Sequence, residues 1–497
     1  MSGYRFSRRD LVRVLGPLAG GSLLSQTVGC KQPRSNEATG QAGALADYTL
    51  TISVKPVELA QSRIVSTATY NGQFPGPLLR FKEGQQVTIE IHNQTDTPEQ
   101  LHWHGQFLST DVDGAAEEGT PFIPPHGSRR VTFVPKPSGY RFYHTHVHGG
   151  ANLSAGQYTG QVGPVYIEPK NNPGNYDREV FLTLKEFEPA LSRGGDMAMD
   201  FLSPATTVKE LKDSGETAMN ASLAKGMPHG FEVGYGSFTI NGRMLGSGEP
   251  IRVKQGERVL FHVLNGSATE IRSLALPGHT FMVVAMDGNP IPKPVTVPGL
   301  WLGTAERVSA IVEMSHPGIW ILGDTADDDR RHGMGTVVEY SGQKGKPQWV
   351  PPKAFHWDYT QFGNPGPAAP EPDQVFEMTF AKQNAAEDGF NRWTINGVSF
   401  AEDRMQPMFR VSRGKRYRLR MRNASDDIHP IHLHRHSFEL TSVAGQKTSG
   451  VIKDVVMVGG YQEVEIDFVA DNPGLTLFHC HQQLHMDFGF MALFEYV

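Results

Sequence analysis

Phe478-His479-Cys480-His481-Gln482-Gln483-Leu484-His485, ending twelve residues before the C-terminus, reads as metal chemistry written into a strand. Successive side chains of a β-strand point to opposite faces, so His479 and His481 share one face while the Cys480 sulfur takes the other. One residue therefore separates two metal environments. On the sulfur side, a thiolate with two imidazoles is the ligand set of a trigonal copper centre suited to electron transfer. On the histidine side, paired imidazoles call for further imidazoles, and the chain supplies them.

The rest of the sequence repeats around this element. Arg80-x3-Gly84-x8-Asn93, Arg252-x3-Gly256-x8-Asn265 and Arg410-x3-Gly414-x8-Asn423 keep identical spacing. Alternating Val87, Ile89 and Ile91 after the first glycine mark a strand. Upstream of each copy stands an Asn-Gly turn, at Asn71-Gly72, Asn241-Gly242 and Asn396-Gly397. Periods of about 160 to 170 residues are whole domains rather than solenoid units. The copies also align at their ends. Counted from Gly139, Gly318 and Gly474, the fifth to seventh residues are His144-Thr145-His146, Gly323-Asp324-Thr325 and His479-Cys480-His481. Likewise His102-Trp103-His104 in copy one and His429-x2-His432-Leu433-His434 in copy three answer to Arg272-Ser273-Leu274-Ala275-Leu276 in copy two. The outer copies carry ligands and the middle one is a spacer. Within it, the stretch from about Glu188 to Gly230 breaks the strand pattern and is expected to hold helix, around Val208 to Leu211 and Met219 to Leu223. The acidic run Asp324 to Asp329 reads as a surface loop.

Length and composition agree with this organisation. At 497 residues the chain has room for about three domains of roughly 150 residues. The 54 glycines and 34 prolines, spread throughout, favour short strands joined by turns. A net charge of -6 with both signs interspersed offers no basic stripe, which excludes nucleic acid as a partner. The two cysteines, Cys30 and Cys480, sit in contexts that argue against a disulfide. The fold expected is all-β: residues 1–46 as signal and linker, 47–170 as domain 1, 171–345 as a ligand-free domain 2, and 346–497 as domain 3.

Ser7-Arg8-Arg9-Asp10-Leu11 precedes an apolar run broken by Pro17, Gly20 and Gly21, too short and interrupted for an ordinary membrane span. It resembles a twin-arginine export signal, which predicts a periplasmic or extracellular protein. Thr27-Val28-Gly29-Cys30 resembles a lipoprotein cleavage box with Thr27 in place of a large aliphatic residue, leaving a lipid anchor through Cys30 open.

With 20 histidines, about 0.8 His-x-His pairs are expected by chance, and the chain has six. Four of them matter: His102/His104, His144/His146, His432/His434 and His479/His481. On strands these would present eight imidazoles where domains 1 and 3 meet. That set suits a cluster of copper ions better than a tetrahedral zinc site, which four ligands saturate. His429, Cys480 and His485 remain for the mononuclear centre.

From about Tyr48 to Val497 the chain resembles a three-domain multicopper oxidase of the laccase type. His102-Trp103-His104-Gly105, His144-Thr145-His146, His429-Pro430-Ile431-His432-Leu433-His434 and His479-Cys480-His481-x3-His485 match the family's four copper motifs. The resemblance implies three consecutive cupredoxin-like Greek-key β-sandwiches holding four copper ions. It implies His429, Cys480 and His485 at type 1 copper, and His102 with His432 at type 2. The type 3 pair would take His104, His144 and His481 on one ion and His146, His434 and His479 on the other. The implied reaction passes electrons from small aromatic reductants, phenols or aromatic amines, through Cys480 and its flanking His479 and His481 to dioxygen, giving two waters. A cuprous or ferrous ion oxidase is the alternative, and a non-catalytic copper-binding or structural protein a third reading.

Several positions depart from the pattern or extend it. Phe490 stands ten residues after Cys480, where many members place an axial Met; a non-coordinating side chain there raises the type 1 potential. Met491, next along a strand, would point away. Asp113 matches the family's acidic residue near type 2 copper and is the candidate for proton chemistry. Met486 follows the last type 1 histidine where bacterial relatives often carry Glu, leaving Asp487 as substitute proton donor. His148 and His436 extend the ligand pairs and are expected to pack rather than ligate. Asp426 and Asp427 read equally as acceptors of a phenol proton or as a solvated turn. Met197, Met199 and Met227 are too scattered for a methionine-rich segment.

Overall fold

The three Asn-Gly pairs adopt left-handed backbone, with φ of 53° and 71°, 52° and 74°, and 52° and 78° in chain order. Asn and Gly tolerate that region, so each pair closes a two-residue turn, bridged from Tyr70 to Gln73, Ile240 to Arg243 and Ile395 to Val398. The asparagine side chain then ties the turn to the first strand of its domain. Asn71, Asn241 and Asn396 accept from the amides of Thr51, Thr183 and Thr379 at 2.6, 2.8 and 2.8 Å. They donate to the carbonyls of Thr49, Phe181 and Glu377. The asparagines that end each repeat are buried and donate to the carbonyls of Ile123, Leu302 and Val458. The repeated spacing is thus a set of backbone staples.

The computed structural model describes residues 45–170, 174–192, 209–225, 230–364, 369–401 and 406–497. The export signal, Cys30, Val208, Met197, Met199 and Met227 lie outside the described residues. Ala46–Val497 forms one compact unit.

Each copy builds a sheet in which its first long strand runs parallel to the strand of the Arg-x3-Gly-x8-Asn repeat. Tyr48–Ala60 pairs with Val87–Asn93, Arg178–Ser192 with Arg258–Asn265, and Gln374–Glu387 with Arg416–Asn423. A second sheet faces it in domains 1 and 3 and carries the ligand strands: Leu79–Lys82, Val162–Glu168, Gly139–His144 and His102–His104 in domain 1. In domain 3 the counterparts are Phe409–Val411, Met491–Tyr496, Thr476–Cys480, His429–Leu433 and Val455–Val458. The three domains are cupredoxin-like β-sandwiches. Inward residues such as Leu50, Ile52, Ile89 and Ile91 are at most 1 % exposed. Burial of each contributes about 1.5–3 kcal/mol relative to exposure.

Domain 2 fills the ligand positions with an ion-pair network. Arg272, at the place of His102, is fully buried and donates to Asp329 at 2.6 Å, with Glu186 at 3.8 Å. Ser273 donates to Asp324 at 2.9 Å. The acidic run is therefore not a plain surface loop: Asp324 is buried and Asp327–Arg331 forms a helical turn. Arg272 needs those carboxylates because a buried guanidinium is costly unless paired.

The expected helix is present at Lys209–Ala224. The strand before it runs on through Glu188 to Ser192, held by its pairing with Glu232–Ile240, so the interruption begins later than the pattern indicates. Gly215 lets the helix approach domain 3; a Cβ there would lie 2.5 Å from the Ala424 carbonyl oxygen.

Candidate metal centres

Trp103 separates His102 and His104 and goes to the opposite face, packing between Phe133 and Tyr143 with ring centroids 5.2 and 5.8 Å away. This anchor turns both histidines out of the domain 1 core. His102 pairs with His144 across one ladder, and His432 with His479 across another. Eight buried imidazoles converge between domains 1 and 3.

In most of these rings one nitrogen is fixed by an acceptor, which leaves the other to point inward. His102 Nδ1 faces the Asp113 carbonyl at 2.9 Å, His144 Nδ1 the Thr145 carbonyl at 2.7 Å, and His432 Nδ1 the Asp454 carbonyl at 2.7 Å. His479 Nδ1 faces the Cys480 carbonyl at 2.9 Å and His434 Nδ1 the Asp113 carboxylate at 2.9 Å. His104 is reversed, with Nε2 3.2 Å from Asp454 Oδ1. The inward nitrogens are buried without a hydrogen-bond partner: Nε2 of His102, His144 and His432, Nδ1 of His104, and both nitrogens of His146 and His481. His434 Nε2 and His479 Nε2 face each other at 3.0 Å. Leaving a buried polar atom unsatisfied costs about 1–3 kcal/mol, a cost that a bound cation removes. The donor set therefore fits a metal cluster.

Ligand atoms within 4.8 Å of one another form the groups His102/His104/His432, His104/His144/His481, His146/His434/His479 and His429/Cys480/His485. The last three are the sets expected from the sequence. The first adds His104 to the expected pair of His102 and His432. In the fourth group, Cys480 Sγ lies 3.7 Å from His429 Nδ1 and 3.5 Å from His485 Nδ1. Phe490, fully buried, flanks it with its ring centroid 4.8 Å from that of His429. Met491 instead packs with Ala115, Leu477, Met486 and Leu493.

Burial holds the ligand imidazoles neutral, the form a metal requires. Desolvation takes His146 to about 4 and His485 to about 3, and lowers His104, His144, His429, His432, His434, His479 and His481 well below the ordinary value. Unfolded histidines bind protons below about pH 6.5 while these folded ones do not, so stability is lost as pH falls from about 6.5 toward the folded values. Each group contributes about 1.4 kcal/mol per pH unit across that window. The urea midpoint of copper-free protein should hardly change from pH 8 to 7 and drop steeply from 6.5 to 5. A flat profile over the lower range would contradict the burial of neutral imidazoles.

The acids around the cluster come from one segment. Asp113 Oδ2 lies 3.0 Å from His102 Nδ1 and 2.9 Å from His434 Nδ1. Glu118 Oε1 is 3.6 Å from His434 Nδ1, and Glu117 Oε2 is 3.7 Å from His146 Nδ1. Burial, with Asp113 beside it, raises Glu118 well above the usual carboxylate range. At Glu117 burial acts the same way, but His146 and His148 outweigh it and hold the carboxyl at about 2. Glu117 and Glu118 escaped the sequence reading, although two acids four and five residues after Asp113 in a region headed for burial are a signal.

Asp487 touches no ligand directly and lies 3.7 Å from His148 Nδ1. Its Oδ2 accepts from the amides of Gly149 and Gly150 at 3.0 and 2.7 Å and its Oδ1 from Gln483 at 2.8 Å, so it fastens a loop. His148 pairs with Glu117 at 2.8 Å and His436 with the Tyr496 hydroxyl at 2.6 Å; both pack rather than ligate. Asp426 and Asp427 both pair with Lys382.

Also unforeseen is a buried network joining all three domains behind His104 and His432. Arg307 of domain 2 grips Asp454 of domain 3 with two hydrogen bonds of 2.6 Å, and Arg141 of domain 1 reaches the same carboxylate at 3.1 Å. Lys453 bridges Asp287 at 2.9 Å and Glu306 at 3.0 Å. Lys453-Asp454 inside the apolar run Val451 to Val458 was the available clue.

Comparison with known proteins gives a consistent picture. Residues 51–172, 206–341 and 367–497 match family models, each described as multicopper oxidase. Multicopper oxidase MmcO of Mycobacterium tuberculosis is 28 % identical, covering 99 % of this chain and 97 % of its own. Among solved structures, a laccase from Botrytis aclada matches with a TM-score of 0.70 at 20 % identity, over 90 % of this chain and 87 % of that one. Fet3p, a multicopper oxidase described as functioning in iron import, matches with a TM-score of 0.69 at 19 % identity, over 90 % of each chain.

Proposed function

Because the chain belongs to the multicopper oxidase family, we propose that it is a laccase-like enzyme oxidising phenols or aromatic amines. As a family member it is a copper-dependent oxidoreductase with dioxygen as acceptor and four copper ions. Copper, when bound, supplies the one-electron steps and the multi-electron store that takes dioxygen to water. The chain's residues do the rest. His429, Cys480 and His485 make the type 1 site; His102 and His432 the type 2 site. His104, His144 and His481, with His146, His434 and His479, make the type 3 pair.

The observation that carries the substrate reading is the surroundings of His485. It is buried at 2 % exposure where His429 and Cys480 keep none, so of the three its edge lies nearest the surface. Trp393 lies 4.2 Å from its ring, and Phe390 stacks on Phe488 at 4.3 Å with Phe231 at 5.1 Å from Phe390. Such a wall suits a flat aromatic molecule. From there Cys480 leads through its own peptide bonds to His479 and His481. At the far end Asp113 orients His102 and His434, and Glu118, 3.6 Å from His434 Nδ1, is the acid placed to supply a proton. A cuprous or ferrous ion oxidase is the second reading, favoured by Asp426, 38 % exposed and three residues before His429.

Oxygen uptake by the copper-loaded protein should be rapid with a methoxyphenol, consuming four electrons per dioxygen without releasing peroxide, and at least about tenfold less efficient with ferrous ion. Uptake with ferrous or cuprous ion alone would sink the phenol reading in favour of the second. We also propose export to the periplasm or beyond through the Arg8-Arg9 signal, which fractionation of cells carrying Arg8→Lys/Arg9→Lys tests.

A further inference from the structure

We infer that Lys382 selects the reductant: its ammonium group fills the carboxylate site in which a metal-ion substrate would otherwise dock. This rests on the reading of His429, Cys480 and His485 as the electron-accepting centre. Lys382 pairs in register with Trp393 across neighbouring strands, so both side chains rise from one face of the sheet. The Trp393 ring stands 4.8 Å from His429 and 4.2 Å from His485, and Lys382 Nζ lies 5.7 Å from that ring. Beyond the ring the ammonium donates to Asp426 Oδ1 at 2.7 Å and to Asp427 Oδ2 at 2.6 Å. The lysine side chain is 11 % exposed and Asp427 12 %, so water screens that pair poorly, while Asp426 keeps 38 % exposure.

Two carboxylates converging on one cation, one aromatic ring away from His429 and His485, are the first half of a metal-ion site. Here the cation is a side chain. It is tethered to its strand and cannot diffuse away, and the two aspartates hold its proton firmly. Cuprous or ferrous ions must compete with it for both carboxylates. A neutral aromatic reductant needs neither. The fixed positive charge also disfavours the oxidised type 1 ion, which carries one more charge than the reduced one, and so raises its potential.

The test compares copper-loaded wild type with Lys382→Met, which removes the charge but keeps the bulk. Lys382→Gln retains a donor for the loop and serves if the methionine variant folds poorly; Lys382→Arg retains the charge. Three readouts are taken: calorimetric titration with cobalt(II), kcat/KM for ferrous ion and for a methoxyphenol, and the type 1 potential. The Met and Gln variants should bind one cobalt ion that wild type and the Arg variant do not, with cobalt competing against ferrous ion. Their ratio of ferrous to phenol kcat/KM should rise at least about tenfold, and the potential should fall. Equal cobalt binding in wild type and Lys382→Met, an unchanged ratio, or an equal rise in Lys382→Arg would overturn the inference. A copper-loaded wild type without a thiolate-to-copper absorption band would instead overturn the reading of the centre, and the cobalt titration would still decide the role of Lys382.

Discussion

Cys480→Ser should leave a folded protein whose oxygen uptake is lower by at least about a thousandfold, the scale on which loss of an essential catalytic group acts. The sulfur is fully buried, 3.5 and 3.7 Å from the inward nitrogens of His485 and His429. Cys480 is peptide-bonded to both His479 and His481, which makes it the shortest covalent route from that centre to the histidine pocket. Serine nearly matches cysteine in size, so the core around Phe490 and Phe478 stays filled, and the stability cost should remain within about 1–3 kcal/mol. Its hydroxyl does not ionise, however, and cannot replace a thiolate. The eight histidines of the pocket are untouched. Metal analysis should therefore find three copper ions where the wild type holds four, with the thiolate-to-copper band gone. Retention of the band, or of uptake within tenfold of wild type, would show that the centre lies elsewhere. Burial pushes the Cys480 thiol up in the metal-free protein, so copper loading expels a proton and should proceed faster as pH rises.

The ligands were legible because their information is local. A His-x-His pair on a strand fixes which face both rings share, and the repeat spacing fixed which copies carry them. The staples at Asn71 and Asn396 are nearly as local, binding the first strand of their own domains 20 and 17 residues back, whereas Asn241 reaches Thr183 across 58. What supports the ligands was not legible. Asp454 meets His104 across 350 residues and Arg307 across 147, and no periodicity encodes such a meeting. Lys382 reads as one more outward lysine on a strand until the loop carrying Asp426 and Asp427 folds back over it. The run from Asp324 to Asp329 misled for a related reason: acids look solvated in sequence, and only the buried Arg272 of another strand gives them a reason to turn inward. The empty-looking positions of domain 2 are thus occupied by charge pairing where its neighbours present histidines.

Arg307→Met should destabilise the protein by about 3–5 kcal/mol, the cost of breaking a buried ion pair while one partner stays behind. The network holds three cations, Arg141, Arg307 and Lys453, and three anions, Asp287, Glu306 and Asp454, all at most 2 % exposed. Removing Arg307 takes two hydrogen bonds of 2.6 Å from Asp454 and leaves Arg141, at 3.1 Å, as the remaining guanidinium on that carboxylate. Asp454 also positions two ligands, with Oδ1 3.2 Å from His104 Nε2 and its carbonyl 2.7 Å from His432 Nδ1. Loss of such support weakens metal binding by about 10–100-fold, so copper content at the cluster should fall before that of the Cys480 centre. Urea denaturation of the copper-free protein measures the first effect and competitive chelation the second. Arg307→Met combined with Asp454→Asn should recover part of the stability, because the stranded negative charge is gone, while cluster affinity stays low. A single-variant loss under about 1 kcal/mol, or strict additivity in the double variant, would mean that the ion pair is spectator to both folding and metal binding.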